Sequence, residues 1–218
     1  MIFSPAAATF AACCLAFLLS PLAADAQDTP QARVNHEYRL IDSRPAGTSA
    51  NIEVVEFFWY GCPYCHELQP SLAEWLKRKP ADVTLLRVPA LLGDDRVLHA
   101  RIYYALEMLG ELERLHQQVY RSYHLEKLPM SRPDVMSQWA VRQGIDRERW
   151  LAAYNSGEVT QKIRRAQKLT RAYDVQGTPS IVVDDRYLTS SGMAGGVRGV
   201  MPVVDDLIHI ARQQRAGK

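Results

Sequence analysis

Cysteine is scarce in this sequence of 218 residues: there are four, and Cys13 and Cys14 fall in the first 26 positions. That opening segment also has no lysine or arginine, so the positive charge usual at the start of an export signal is missing. It does have an apolar run from Phe10 to Leu19, a helix-breaking Pro21 and the small-residue trio Ala24-Asp25-Ala26. These features predict a cleaved signal peptide over 1–26, cut before Gln27. A membrane anchor would need roughly 20 apolar residues, and Pro21 cuts the run short. Lipid attachment at Cys13 or Cys14 fits less well, because the apolar run continues past both. Beyond Phe58 no stretch is apolar for long enough to span a bilayer, so the mature chain reads as soluble. A dense basic patch is absent as well. Losing the segment's single acid, Asp25, moves the net charge only from +2 to +3, and nucleic acid is not an expected partner.

Residues 27–218 amount to one ordinary domain, long enough to bury a core. They keep only Cys62 and Cys65, in a compartment where disulfides persist. A structural disulfide stabilises most when it closes a long loop in the unfolded chain. Across two intervening residues it constrains almost nothing, so the pair is better explained by chemistry.

The order of elements frames that pair. Residues 27–50 read as a polar arm with one short strand near Tyr38-Arg39-Leu40. Asn51 to Tyr60 is β-branched and aromatic on both faces around Glu56, as in a central strand, and Gly61 ends it. A helix follows from Cys62 to Lys79, with Pro63 in its first turn, Leu68, Leu72, Trp75 and Leu76 on one stripe, and Pro80 as its stop. Val83 to Val88 predicts a second buried strand, completing a βαβ unit. From Asp94 the period becomes helical in pieces: Val97–Leu109, Leu112–Tyr123, Val135–Val141 and Arg147–Tyr154. Ser131 and Asp146 suit caps, and Gly110 and Gly144 suit stops. A longer helix carries Val159, Ile163, Ala166, Leu169 and Tyr173. The strand pattern returns at Ser180–Val183, turns at Asp184-Asp185 into Arg186–Thr189, and a loop with Gly192, Gly195 and Gly196 leads to a last amphipathic helix. The class is therefore α/β: a first part over 27–93, an inserted helical domain over 94–165 and a second part over 166–218.

Cys62 sits at the predicted helix start, where unpaired N–H groups and the helix dipole favour negative charge. A thiol attacks disulfides only as thiolate, and a free cysteine has a pKa of roughly 8.5, so this position suits the attacking sulfur. Cys65 lies one turn deeper and suits the resolving one. Glu56, an acid within an apolar strand, should have a raised pKa or a partner. Its alternatives are a proton acceptor and a structural ion pair with a nearby Lys or Arg, while Glu53 reads as solvated. Phe57 and Phe58 read as core, and Tyr60 and Tyr64 as a contact surface for unfolded chains. Arg164, Arg165 and Lys168 read as a solvated helix face.

The runs Glu56-Phe-Phe-Trp-Tyr-Gly-Cys-Pro-Tyr-Cys-His66 and Val175-Gln-Gly-Thr-Pro-Ser180, with this order of elements, resemble the thioredoxin fold. The helical block resembles the DsbA-type periplasmic oxidoreductases in particular, over essentially the whole mature chain. The resemblance implies Cys62, Cys65 and Glu56 as catalytic residues, with Glu56 taking the Cys65 proton. It also implies a cis bond at Thr178-Pro179 facing the cysteines, with Thr178, Pro179, Pro63 and Tyr64 contacting substrate. A proline there leaves neighbouring backbone groups free to pair with an extended peptide.

The activity implied is that of a monomeric periplasmic oxidase, without metal or cofactor, that donates the Cys62–Cys65 disulfide to reduced or unfolded exported proteins. A DsbB-like membrane quinone reductase would reoxidise it. A reductase role stays open, while an isomerase of the DsbC kind would need a longer arm than 27–50. Cys62 to His66 also matches the C-x-x-C-H pattern of c-type haem attachment, although the motif interrupts a βαβ pattern. His66 otherwise reads as solvent-facing, and the other histidines show no ligand spacing for zinc. A redox-inert peptide-binding chaperone is the remaining alternative. Tyr64 departs from the Cys-Pro-His-Cys pattern of the best-known relatives and has the dipeptide typical of glutaredoxins. Being neutral, it predicts a milder oxidant.

Overall fold

The computed structural model describes residues 1–2, 33, 36–41 and 49–217, so the signal-peptide cleavage site lies outside the described residues. Among the described residues, five strands form one sheet in the order β1-β5-β4-β2-β3. They are β1 (Arg39–Leu40), β2 (Ile52–Phe58), β3 (Val83–Pro89), β4 (Ser180–Val183) and β5 (Tyr187–Ser190). The helices are α1 (Pro63–Arg78), α2 (Arg96–Met108), α3 (Leu112–His124), α4 (Pro133–Arg142), α5 (Arg147–Tyr154), α6 (Gly157–Ala172) and α7 (Val197–Ala216). β2 runs parallel to β3 and antiparallel to β4. This is a thioredoxin-like sheet with helices α2 to α5 inserted after the βαβ unit. The proposed 165/166 division falls within one continuous helix, α6.

Two apolar cores lie on the two sheet faces, as the pleat of β2 requires. Ile52 and Val54 point to a core shared with Leu68, Leu72 and Trp75 of α1 and Val200, Val204 and Leu207 of α7. Val55 and Phe57 point to a larger core filled by α2, α3, α5 and α6. Glu56 has the parity of Val54, so it faces α1. Trp75 Nε1 donates to Asp205 Oδ1 at 2.7 Å and ties α1 to α7.

Three sequence expectations need correction. β3 is an edge strand, paired only with β2, and its Thr84 and Leu86 are exposed rather than buried. Ser131 does not cap α4, which begins at Pro133 with Arg132 in the cap position. Tyr60 is 1% exposed and belongs to the core, not to a contact surface. Other punctuation is as expected. Asp146 accepts from the Arg149 N–H at 2.9 Å, and Gly110 and Gly144 have φ of +73° and +84° just past their helices. Asp184 and Asp185 take φ of +56° and +59°, the left-handed pair that a tight hairpin between β4 and β5 needs.

Candidate active site

β2 delivers the chain to a tight turn in which the Cys62 N–H donates to Trp59 O at 3.0 Å. Gly61 is needed there because a Cβ would stand 2.3 Å from the Trp59 indole. Cys62 then caps α1 with extended backbone, and its sulfur accepts from the Cys65 N–H at 3.3 Å. Pro63 occupies the first helical position, where no donor is required. The thiol of Cys62 donates to Thr178 O at 3.2 Å, and Thr178-Pro179 is cis. Thus the two motifs, 116 residues apart, meet at one sulfur. Pro63 and Tyr64 are exposed beside it, Tyr64 at 56%.

The two thiols are pushed apart. Hydrogen bonding from Cys65, with further bonds from Thr178 and the backbone of Cys65 and Tyr64, outweighs burial and brings Cys62 down to about 6. Burial pushes Cys65 well above the ordinary range, and Cys62 beside it adds to the effect. Both are free cysteines, and Cys65 is fully buried.

Glu56 is fully buried beneath this pair and faces Arg87 across the β2–β3 register. Arg87 Nε donates to Glu56 Oε2 at 3.1 Å, and Gln69 Nε2 donates to Oε1 at 3.1 Å. Gln69 also donates to Cys65 O at 3.2 Å, so one amide spans the acid and the Cys65 backbone. Burial raises the Glu56 pKa despite Arg87. The ion pair is therefore present, and it leaves room for a proton-transfer role. Glu53 is half-buried rather than fully solvated.

Three histidines, His66, His116 and His124, gather beside the turn before Cys62. His116, Tyr120 and His124 share one face of α3 at four-residue spacing. Tyr60 Oη and His116 Nδ1 are 2.8 Å apart, and His124 Nε2 donates to Tyr60 O at 2.8 Å. His66 is half-buried and stacks on His124, with centroids 4.9 Å apart, rather than facing solvent. Sequence reasoning also passed over Gln69 and Arg87. The four-residue spacing on α3 was a signal for the first group, but nothing local marks the second.

A cysteine pair with split acidity, at a helix start on this sheet, belongs to the class of thioredoxin-fold thiol:disulfide oxidoreductases. A family model described as a DSBA-like thioredoxin domain matches residues 82–200. The thiol:disulfide interchange protein DsbA of Pseudomonas aeruginosa is 36% identical over 168 residues, which is 77% of this chain and 80% of that protein. Its counterpart in Azotobacter vinelandii is also 36% identical over 168 residues, covering 77% and 78%. The crystal structure of Pseudomonas aeruginosa DsbA matches with a TM-score of 0.78 at 34% identity, over 84% of this chain and 95% of that one. Oxidoreductase DsbA from Xylella fastidiosa gives 0.76 at 30% identity, over 84% and 98%. The chain belongs to the DsbA-like thioredoxin family. It is an enzyme that exchanges thiols and disulfides, and the haem and chaperone readings fall away.

Proposed function

We propose that this protein is a periplasmic dithiol oxidase that passes the Cys62–Cys65 disulfide to reduced exported proteins. The observation that supports it most is the acidified Cys62 at the helix start over a fully buried Cys65. A substrate thiolate attacks the Cys62 sulfur, forming a mixed disulfide and releasing Cys65 as thiolate. Glu56, held protonated more readily by burial, gives Cys65 the proton, and solvent later restores it. A second substrate thiolate then attacks its own sulfur in the mixed disulfide. This forms the substrate disulfide and expels Cys62 as the favoured thiolate. The backbone around Thr178-Pro179, with Pro63 and Tyr64, holds the substrate as an added extended strand. Two electrons now reside on the enzyme, and a DsbB-like membrane quinone reductase withdraws them. The protein acts as a monomer after its signal peptide is removed. No helix among the described residues is long and apolar enough to cross a membrane, in keeping with that cycle.

Cys65→Ser tests the exchange step. With the resolving thiol gone, the variant should accumulate mixed disulfides with exported proteins, released by reductant, whereas Cys62→Ser should form none. Equal yields from the two variants would refute the assigned roles.

A further inference from the structure

The turn that presents Cys62 can be built in two ways. Trp59 to Cys62 is a four-residue turn closed by the Cys62 N–H to Trp59 O bond, and its central peptide joins Tyr60 to Gly61. Turns of this kind interconvert by rotation of that central peptide, and the type II form requires a positive φ at the third residue. Glycine supplies such a φ at no steric cost. Gly61 nevertheless lies outside the left-handed region, so the type II form is not the one adopted. The sequence of the turn permits both forms, and something outside the turn selects one.

We propose that His124 is the positioning residue that makes this selection, through its hydrogen bond to the Tyr60 carbonyl. The carbonyl can only accept, so Nε2 carries the proton, and it carries one in both the neutral and the charged ring. Rotating the central peptide would swing this carbonyl away and break the 2.8 Å bond. Three further contacts hold the donor and the acceptor where they are. The Tyr60 hydroxyl is tied to His116 Nδ1, two turns earlier on α3. The Tyr60 and Tyr120 rings meet edge to face with centroids 4.9 Å apart. The His124 ring is backed by His66 of α1, nearly parallel at 7°. α3 thus grips the turn from the inserted helices and leaves Pro63 and Tyr64 exposed. Cys62 follows the Tyr60–Gly61 peptide directly, and its sulfur depends on accurate placement against the Cys65 N–H for its low pKa. The expected role is to hold that placement. Among the described residues the Cys62 sulfur bonds to Cys65 N–H and Thr178 O, so His124 acts through the turn and not on the sulfur.

This inference rests on Cys62 being the attacking sulfur. The test uses the reduced full mature chain and two variants that separate the ring from the donor. His124→Phe keeps a ring against His66 and removes the N–H, while His124→Gln restores a donor without the ring. In His124→Phe, iodoacetamide labelling of Cys62 at about pH 6 should slow several-fold, up to roughly fivefold for a rise of one pKa unit from a half-ionised thiol. The equilibrium with glutathione should shift toward the disulfide by a similar factor, because a less stabilised thiolate disfavours the reduced form. His124→Gln should recover both quantities to within about twofold. A His124→Phe protein with lower Tm but unchanged labelling and unchanged equilibrium would show a purely structural role and overturn the proposal. So would a His124→Gln protein that behaves like His124→Phe. Should His124→Phe not fold, the ring tautomer in the unmodified protein decides by nitrogen NMR: Nε2–H supports the proposal and Nδ1–H overturns it. If Cys62 is not the faster-labelled cysteine in the unmodified protein, it is the underlying assignment that fails instead.

Discussion

Cys62 and Cys65 stand one helical turn apart, and their surroundings push the two thiols in opposite directions. Cys62 occupies the cap, where the open end of α1 and the Thr178 loop offer hydrogen bonds to a thiolate. Cys65 lies inside the first turn, packed over Glu56 and Gln69, where burial penalises any charge. The same short motif thus yields one thiol that ionises readily and one that resists ionisation. The difference comes from the helix boundary, since the residue types are identical.

The comparison can be broken most forcefully through pH. In the reduced protein, Cys62 has a folded pKa of about 6, against roughly 8.5 unfolded. A depressed acid stabilises the fold fully above the unfolded value, and the gain is lost as pH falls through the folded one. Cys65 is raised and works the other way, costing stability as pH climbs past the unfolded value. The stability of the reduced form relative to the oxidised form should therefore rise between about pH 6 and 8.5 and fall above it. The rise should be on the order of 2 kcal/mol once solvent near the helix start has screened it. Parallel urea melts of the two redox forms measure it, and a flat difference would remove the contrast.

Glu56→Gln sharpens the Cys65 side. The Glu56 pKa is raised, so ionising it costs stability as pH rises above its unfolded value of roughly 4.3. At neutral pH the amide should remove that cost of ionisation, while Arg87 loses its charged partner, so the pH dependence of stability above the unfolded carboxyl value should flatten. Resolution of mixed disulfides through Cys65 should slow at the same time, and stopped-flow exchange with a model dithiol would detect it. Faster resolution would exclude Glu56 from proton transfer.

Tyr64→His probes the Cys62 side with the smallest expected effect, because Tyr64 is exposed to solvent. It should lower the Cys62 pKa and raise the reduction potential together, by about 30 mV per 1.4 kcal/mol. A potential that moves while the pKa stays fixed would show that the oxidising strength is not set by the thiolate.

Much of this was legible in the sequence because its signals are local. The cap at Asp146, the stops at Gly110 and Gly144 and the strand Ser180–Val183 each depend on a few adjacent residues. The cysteine pair announced itself through its spacing and the helix start. What escaped depends on register. Arg87 became the partner of Glu56 only because β3 aligns it directly opposite, and the same alignment left Leu86 exposed at the sheet edge. Tyr60 is buried because α3 crosses over the end of β2, and nothing near Tyr60 in sequence encodes that crossing.

Labelling of the reduced protein with iodoacetamide at about pH 6, with each cysteine quantified by mass spectrometry, reads the central contrast directly. At that pH about half of Cys62 is thiolate, while burial holds the Cys65 thiol almost wholly protonated. The account predicts that Cys62 is labelled far faster than Cys65, a gap that burial of Cys65 widens. Comparable rates at the two positions would contradict it.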